Sequence, residues 1–485
     1  MASLMIQGCG SDVGKSILVA GLCRLFANRG LRVRPIKPQN MSNNAAVTAD
    51  GGEIGRAQAL QAMACRVPPT VDMNPVLLKP QSDVGAQVIV RGKRLGNQQA
   101  STYQGNKGAL LDVVLESFHR LEGESDLVLV EGAGSPAEIN LRANDIANMG
   151  FARAANVPVA LVGDIDRGHV IAAVVGAHAV LDAADRAMIH GFIINKFRGD
   201  PALFVDGRTE IVRRTGWRDF GMVPWLAAAR RLPAEDAVVL QAESQSVKKT
   251  FKVVALLLPH IANFDDFDPL RADPHLAFMY VTPGMAVPGD TDVLIIPGTK
   301  TTLGDLAFLR QQGWDIDIAA HLRRGGRVLG ICGGLQMLGK RIADPDGIEG
   351  APATADGLGY LDLETLLTAD KVLCPVTGRL SDGGAPFQGY EMHVGRTTGP
   401  ALARPFAILD EGRADGATSG NGRVAGTYVH GLLQSGAARA AIFGVGAPAR
   451  DHQFAVDALL DEIASALEQA LDVPALAALA GVRLP

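Results

Sequence analysis

Short apolar runs alternate with segments of helical periodicity along most of the chain. In the first half the apolar runs fall at 4–7, 32–37, 126–131, 157–163, 189–194 and 221–225, each closing near Gly, Asp, Asn or Pro. A run such as Asp126-Leu127-Val128-Leu129-Val130 has no in–out alternation. That marks strands buried on both faces, hence a parallel sheet covered by helices. A polar stretch, Gln241 to Ser246 followed by Lys248-Lys249-Thr250, breaks the pattern and reads as a linker over 237–250. A second series of apolar runs then starts at 251–258 and continues at 276–282, 292–297 and 326–331, ahead of a more strand-rich section. Helical periodicity returns near the end, with Phe454, Val456, Leu459, Leu460, Ile463 and Leu467 on one stripe. The pattern predicts an α/β protein of two doubly wound domains, 1–236 and 251–440, with a C-terminal helical segment over 441–485.

Ligands of such sheets bind at the carboxyl ends of the strands, so polar residues that close a strand are the first candidates. Gly8-Cys9-Gly10-Ser11-Asp12-Val13-Gly14-Lys15-Ser16 lies between the first apolar run and the helical run Ile17 to Leu22. A strand, a Gly-rich loop and a helix start in that order suit phosphate: backbone N–H groups and the helix dipole face the anion, and Lys15 adds a full charge. Gly8, Gly14, Lys15 and Ser16 are therefore the expected nucleotide-binding residues, with the Ser16 hydroxyl available to Mg²⁺. The general motif has Gly where Cys9 stands, and the loop closes on Gly8 instead. An ordinary Gly-rich turn is the competing reading. Glu131, at the tip of a buried strand in Glu131-Gly132-Ala133-Gly134, is the expected partner of Ser16 at a metal held through water, or else a turn cap. Asp50, before Gly51-Gly52, is a second metal candidate or a plain turn residue.

Asp164 and Asp166 with Arg167 follow another buried run; they suit phosphate and metal work or a self-paired salt bridge. Asn195 closes the run before Lys196 and presents an amide suited to an adenine edge. Lys37 begins an amide-rich loop, Lys37-Pro38-Gln39-Asn40-Met41-Ser42-Asn43-Asn44. One cation among many amides, with Asn40 in its middle, suits a carboxylate-rich substrate; a hydrogen-bonded loop is the alternative.

In the second half, Gly330-Ile331-Cys332-Gly333-Gly334 closes a strand and opens a helix. Gly-x-Cys-x-Gly is the spacing of a nucleophile elbow, with Cys for Ser. A thiol there is activated by the helix start and needs a base. His430, closing the run before Gly431, has the best context among the ten histidines, with His393 as the rival. Gly298, in the turn after 292–297, and Gly333 are the expected sources of oxyanion-stabilising N–H groups.

Composition narrows the partners. The net charge is −5, from 46 basic and 51 acidic residues, which argues against a nucleic-acid-binding or anionic-membrane surface. Five scattered cysteines, at 9, 23, 65, 332 and 374, form no CxxC pair; a disulfide framework or zinc site is not expected, and a reducing cytoplasm is. The first residues show no basic n-region, so no signal peptide is expected. No apolar run reaches the length of a membrane span. The sequence carries no sign of oligomeric state.

Gly330-Ile331-Cys332-Gly333-Gly334-Leu335-Gln336 with Tyr428-Val429-His430-Gly431 resembles the class I glutamine amidotransferase domain, in which the Cys attacks the side-chain amide of glutamine and releases ammonia. Many members carry His-x-Glu; here position 432 is Leu, as in the cobyrinate-amidating branch, and the third catalytic member is unassigned. The loop from Gly8 to Ser16, Lys37-Pro38 and Glu131-Gly132-Ala133-Gly134 resemble the ATP-binding domain of the dethiobiotin synthetase type, which phosphorylates a carboxylate. These features, with the loop from Lys37 to Asn44, Gly163-Asp164-Ile165-Asp166-Arg167-Gly168 and the stretch from Asn263 to Leu270, resemble the cobyric acid synthase family over nearly the whole chain. His169 departs from a Gly usual at that place. The resemblance implies ATP, Mg²⁺ and L-glutamine as nitrogen donor, and amidation of the b, d, e and g carboxylates of adenosylcobyrinic acid a,c-diamide through acyl phosphates. It also implies Lys37, Asn40 and Asp166 at the substrate. Three other readings remain: an amidoligase for another polycarboxylate, including the a,c positions; a P-loop switch ATPase; and a non-catalytic corrinoid-binding protein. The switch ATPases carry a second Lys early in the loop, and none lies between Gly8 and Gly14.

Overall fold

The computed structural model describes residues 2–82, 85–233, 251–410, 412–444 and 450–484. The linker read at 237–250 lies outside them. The chain divides into two compact units, one of residues up to 42, 48–232 and 456 onward, the other of 43–47 and 233–455.

The first unit is built on a six-stranded sheet. Its strands, from one edge to the other, are Arg218–Pro224, Ile189–Phe197, Val159–Asp164, Ser3–Gly8, Leu127–Glu131 and Val33–Ile36, all parallel. These are the six apolar runs of the sequence, with ends moved by up to three residues. The central strands are buried at every position, as uninterrupted apolar runs require. Their alternate side chains feed two cores. Leu4, Ile6, Leu129 and Val162 pack under the helix Lys15–Asn28, whereas Met5, Val128, Val130 and Leu161 face the other layer. The C-terminal helices His452–Ala470 and Val473–Ala480 belong to this first unit. Leu460, Ile463 and Leu467 join the Leu4 core, and Gly21 permits the approach: a Cβ there would lie 2.5 Å from Leu467 Cδ1. The unit also holds a small sheet of Gln39–Met41, Val76–Ser82, Gly85–Val90 and Lys93–Gln99. The sequence pattern does not indicate it, because its apolar runs, Val76-Leu77-Leu78 and Val88-Ile89-Val90, are only three residues long.

The second unit has a sheet ordered Leu276–Val281, Phe251–Leu256, Val293–Ile296, Arg327–Ile331 and Val424–Thr427, parallel throughout, with Ala417–Thr418 antiparallel at the edge. The strand-rich section forms a second, mixed sheet whose spine is the antiparallel pair Glu364–Leu380 and Pro386–Thr398. Val429–His430 pairs along the latter, placing His430 opposite Tyr390.

Candidate active site

In the first unit the parallel register sets the strand tips side by side. Ile6 pairs with Glu131, Gly8 with Val162, and Asp164 with Asn195. The loop from Gly8 to Ser16 crosses these tips. Gly14 holds φ of 94°, and a Cβ on it would stand 2.4 Å from Asn195 Nδ2, so both its conformation and its space require glycine. Lys15 is buried, and its ammonium donates to Gly10 O at 2.8 Å and Gly134 O at 3.1 Å. It thus spans the loop and the Glu131–Gly134 turn. Ser16 Oγ donates to Glu131 Oε1 at 2.7 Å, which joins the two residues expected at a metal. Glu131 is fully buried; Lys37 Nζ lies 2.8 Å from Oε1, and Gln61 Nε2 donates to Oε2 at 2.5 Å. A buried carboxylate requires such partners. A hydroxyl and a carboxylate oxygen in contact are donors suited to a hard cation such as Mg²⁺. Among the described residues no group of three or more His, Cys, Asp or Glu side chains is clustered as a metal site.

Other expected residues stand differently. Asp50 is exposed in the Thr48–Gly52 turn and accepts from Val71 N at 3.4 Å. Asn40 is buried and uses its amide internally: Nδ2 donates to Gln58 Oε1 at 2.9 Å and Oδ1 accepts from Met41 N at 2.8 Å. Asp166 is exposed and pairs with Arg198 at 2.7 Å, Asp164 pairs with Lys196 at 2.8 Å, and Arg167 lies 3.7 Å from Asp12, so the three do not pair among themselves. Asn195 donates from Nδ2 to Val13 O at 2.8 Å, bracing the phosphate loop and leaving Oδ1 for any base contact. Burial pushes the Cys9 thiol up to about 12 against the opposing Lys15 charge, so Cys9 stays protonated. His169 takes the left-handed conformation, φ 51°, at the start of helix Val170–Val180, which accounts for glycine as the usual residue at that place.

In the second unit Cys332 sits between the strand Arg327–Ile331 and the helix Gly333–Leu338 with φ of 52° and ψ of −110°, a strained positive-φ conformation. The flanking glycines are required by space. A Cβ on Gly330 would lie 2.6 Å from Gly334 C, and one on Gly334 would lie 2.0 Å from Ile296 O. This is the elbow that the Gly-x-Cys-x-Gly spacing predicts. Gly298 closes the far side, where a Cβ would stand 2.9 Å from His430 Cε1 and 3.6 Å from Cys332 Cβ. Cys332, His430, Gly298 and Gly333 are thus brought together.

His430 is buried, and its ring stacks on Tyr390 with centroids 5.4 Å apart. Its Nδ1 lies 2.7 Å from Asp266 Oδ2, and Gly431 N donates to Asp266 Oδ1 at 2.6 Å. Burial alone would lower the imidazole, but the Asp266 charge and hydrogen bond, with the Cys332 contact, outweigh it and push His430 up to about 10. An imidazolium therefore stands beside the sulfur. His393 stacks on Tyr428 at 3.8 Å and is held down to about 4, by burial first, against the raising effect of Glu391; it is neutral and lacks the contacts of His430. Asp266 belongs to the stretch from Asn263 to Leu270 that marks the family resemblance, but no spacing rule ties it to His430, which lies 164 residues away. Asn263, three residues before Asp266, takes the left-handed conformation at φ 52°.

Residues 4–239 match the family described as the CobQ/CobB/MinD/ParA nucleotide binding domain, and residues 252–438 match the CobB/CobQ-like glutamine amidotransferase domain. A cobyric acid synthase of Caulobacter sp. (strain K31) is 68% identical over 99% of this chain and 100% of its own length. Those of Rhizorhabdus wittichii and Rhodobacter capsulatus are each 60% identical over 99% of this chain and 99% and 100% of theirs. The chain belongs to the cobyric acid synthase family. It is a glutamine-hydrolysing amidating ligase, with the glutaminase residues in one unit and the nucleotide-binding residues in the other. Among the described residues no helix of this cobyric acid synthase family member is long and apolar enough to cross a membrane.

Proposed function

We propose that the chain amidates the b, d, e and g carboxylates of adenosylcobyrinic acid a,c-diamide, using ATP and glutamine, to give adenosylcobyric acid in the cytoplasm. The observation that carries the reading is one chain holding both a Cys332–His430 pair at a strained elbow and a phosphate loop whose Lys15 and Ser16 meet the Glu131 strand tip. In the glutaminase unit the thiol proton resides on His430, sulfur attacks the amide carbon as thiolate, and that proton leaves with ammonia. N–H groups about Gly298 and Gly333 face the oxygen that gains charge. Water then cleaves the thioester to glutamate. In the nucleotide-binding unit a substrate carboxylate oxygen attacks the γ-phosphorus of ATP, ADP leaves, and ammonia displaces phosphate from the acyl phosphate. Lys15 stabilises charge on the transferring group. Lys37, which lies 2.8 Å from Glu131 Oε1, would meet the substrate carboxylate or acyl phosphate. Ser16 and Glu131 would hold Mg²⁺, which when bound neutralises phosphate charge.

The test is mass spectrometry of the products from cobyrinic acid a,c-diamide, adenosylated, with ATP and glutamine. Four successive gains of one amide are expected. Cys332→Ala should lose the glutamine-driven reaction and keep it with ammonium; Lys15→Ala should lose both. No mass change with the wild-type chain overturns the named substrate, and gains on cobyrinic acid itself favour the a,c-position reading. A Cys332→Ala chain inert with ammonium overturns the division of labour.

A further inference from the structure

We infer that Asp266 is the positioning residue of the Cys332–His430 pair, in place of the carboxylate that His-x-Glu members carry two residues after the histidine. The inference rests on the glutaminase reading of the second unit. Position 432 is Leu, buried in the core of that unit, and supplies no carboxylate. Asp266 reaches the same ring from the loop after the first strand of the unit. It makes two bonds at once, one to His430 Nδ1 at 2.7 Å and one from Gly431 N at 2.6 Å, and both acid and imidazole are nearly inaccessible to water.

The two-point contact fixes more than charge. With Nδ1–H given to Asp266, Nε2 is the nitrogen left to face sulfur, and it meets no other partner in the described structure. Gly431 at φ 78° turns its N–H back toward the same carboxylate, so the aspartate cannot rotate without losing one bond. Tyr390 closes one face of the ring. The nearby acids are committed elsewhere. Glu391 is held by Arg413 at 2.9 Å and 2.5 Å, and Asp415 accepts from Thr427 Oγ1 and, at 3.1 Å, from Tyr428 N. With the thiol proton on Nε2, the Asp266 carboxylate stabilises the imidazolium, as the buried acid of a Ser-His-Asp site does.

Asp266→Asn keeps the shape but offers Nδ1 an amide. Glutamine-driven turnover should fall about 10³–10⁴-fold, the scale of a wrong-tautomer replacement, with ammonium-driven amidation unchanged. The His430 ring resonances, assigned against His430→Asn, should titrate well below the wild-type midpoint, toward about 6.5. Asp266→Glu should recover part of both. The titration is read on the folded chain whether or not it turns over, so it separates this inference from the glutaminase reading, which Cys332→Ala tests. If Asp266→Asn loses both nitrogen sources, a lowered His430 midpoint still supports the positioning role and an unchanged one overturns it. Glutamine turnover within about tenfold of wild type, about 1.4 kcal/mol in barrier, overturns it as well.

Discussion

Gly298→Ala is the smallest change that should disable the glutaminase while leaving every reacting group in place. The added methyl would stand 2.9 Å from His430 Cε1, where ordinary contacts lie at 3.4–4 Å. His430 cannot slide sideways, because Asp266 and the Tyr390 ring hold it. It must withdraw from Cys332 by about half an ångström to an ångström, or the turn carrying Gly298 must move by as much; a misplacement of about 1 Å costs about 10²-fold in rate. That is about 2.7 kcal/mol in the barrier. Ala262 O, 3.4 Å from the new carbon, bars escape in the other direction. Glutamate release should therefore fall about 30- to 100-fold in kcat, with a smaller change in KM, because the atoms that bind glutamine remain. Amidation with ammonium should be unaltered, since the nucleotide-binding unit is untouched. Glutamate release within about threefold of wild type, less than about 0.7 kcal/mol, would show that His430 does not stand against Gly298 and would refute the geometry.

Two further outcomes follow from buried charge. His430 is raised in the folded state from its ordinary 6.5 to about 10, so its contribution to stability is complete below 6.5 and is lost as pH rises through about 10. The melting temperature of the second unit should fall across that window by calorimetry, and the fall should be smaller in Asp266→Asn; equal slopes would contradict the assignment. Arg24 is buried under the C-terminal helix, donating to Ala64 O at 3.0 Å, Met63 O at 3.2 Å and Asp457 at 2.5 Å. Arg24→Met leaves Ala64 O without its side-chain donor, while Met63 O keeps Arg66 N at 2.9 Å, and Asp457 and Asp461 are 38% and 48% exposed and regain water. The cost should be about 2–4 kcal/mol, below that of breaking a fully buried pair, lowering the first unit's transition by about 5–10 °C, and no shift would contradict the packing of 456–484 on that unit.

Most of the chemistry was legible in the sequence because the parallel sheets put it in the same place each time. Ligands of such a sheet meet the strand tips, so Gly8, Glu131, Asn195 and Cys332 could be found by asking where each apolar run ends. The glycines around Cys332 and within the phosphate loop were legible for a related reason: they mark backbone approaches that a Cβ forbids. Residues without such a constraint were ambiguous. Asp50 and Asn40 have the right chemistry for a ligand and also meet neighbours of their own, Val71 N and the Gln58 amide, which the sequence pattern does not indicate. The apolar stripe of the last helix was legible as buried, but not as buried in the first unit, since a helical period does not name its partner.

Asp266 shows why the third glutaminase residue escaped a local reading. In the His-x-Glu pattern the acid and the imidazole share one turn, so their geometry is set by a few backbone angles. Here Gly431 uses that turn to present its N–H, Leu432 completes the hydrophobic core, and the carboxylate arrives from a loop 164 residues earlier. The loop pays for its shape with Asn263 at φ 52°. Leu432 is therefore not a loss of function at the family position but a transfer of the same task to another element. The transfer changes what can disturb the imidazole. A local pair responds only to its own turn, whereas this one responds to movement of the 3-10 helix Phe264–Phe267, because a shift that lengthens the 2.7 Å contact weakens the interaction that raises His430.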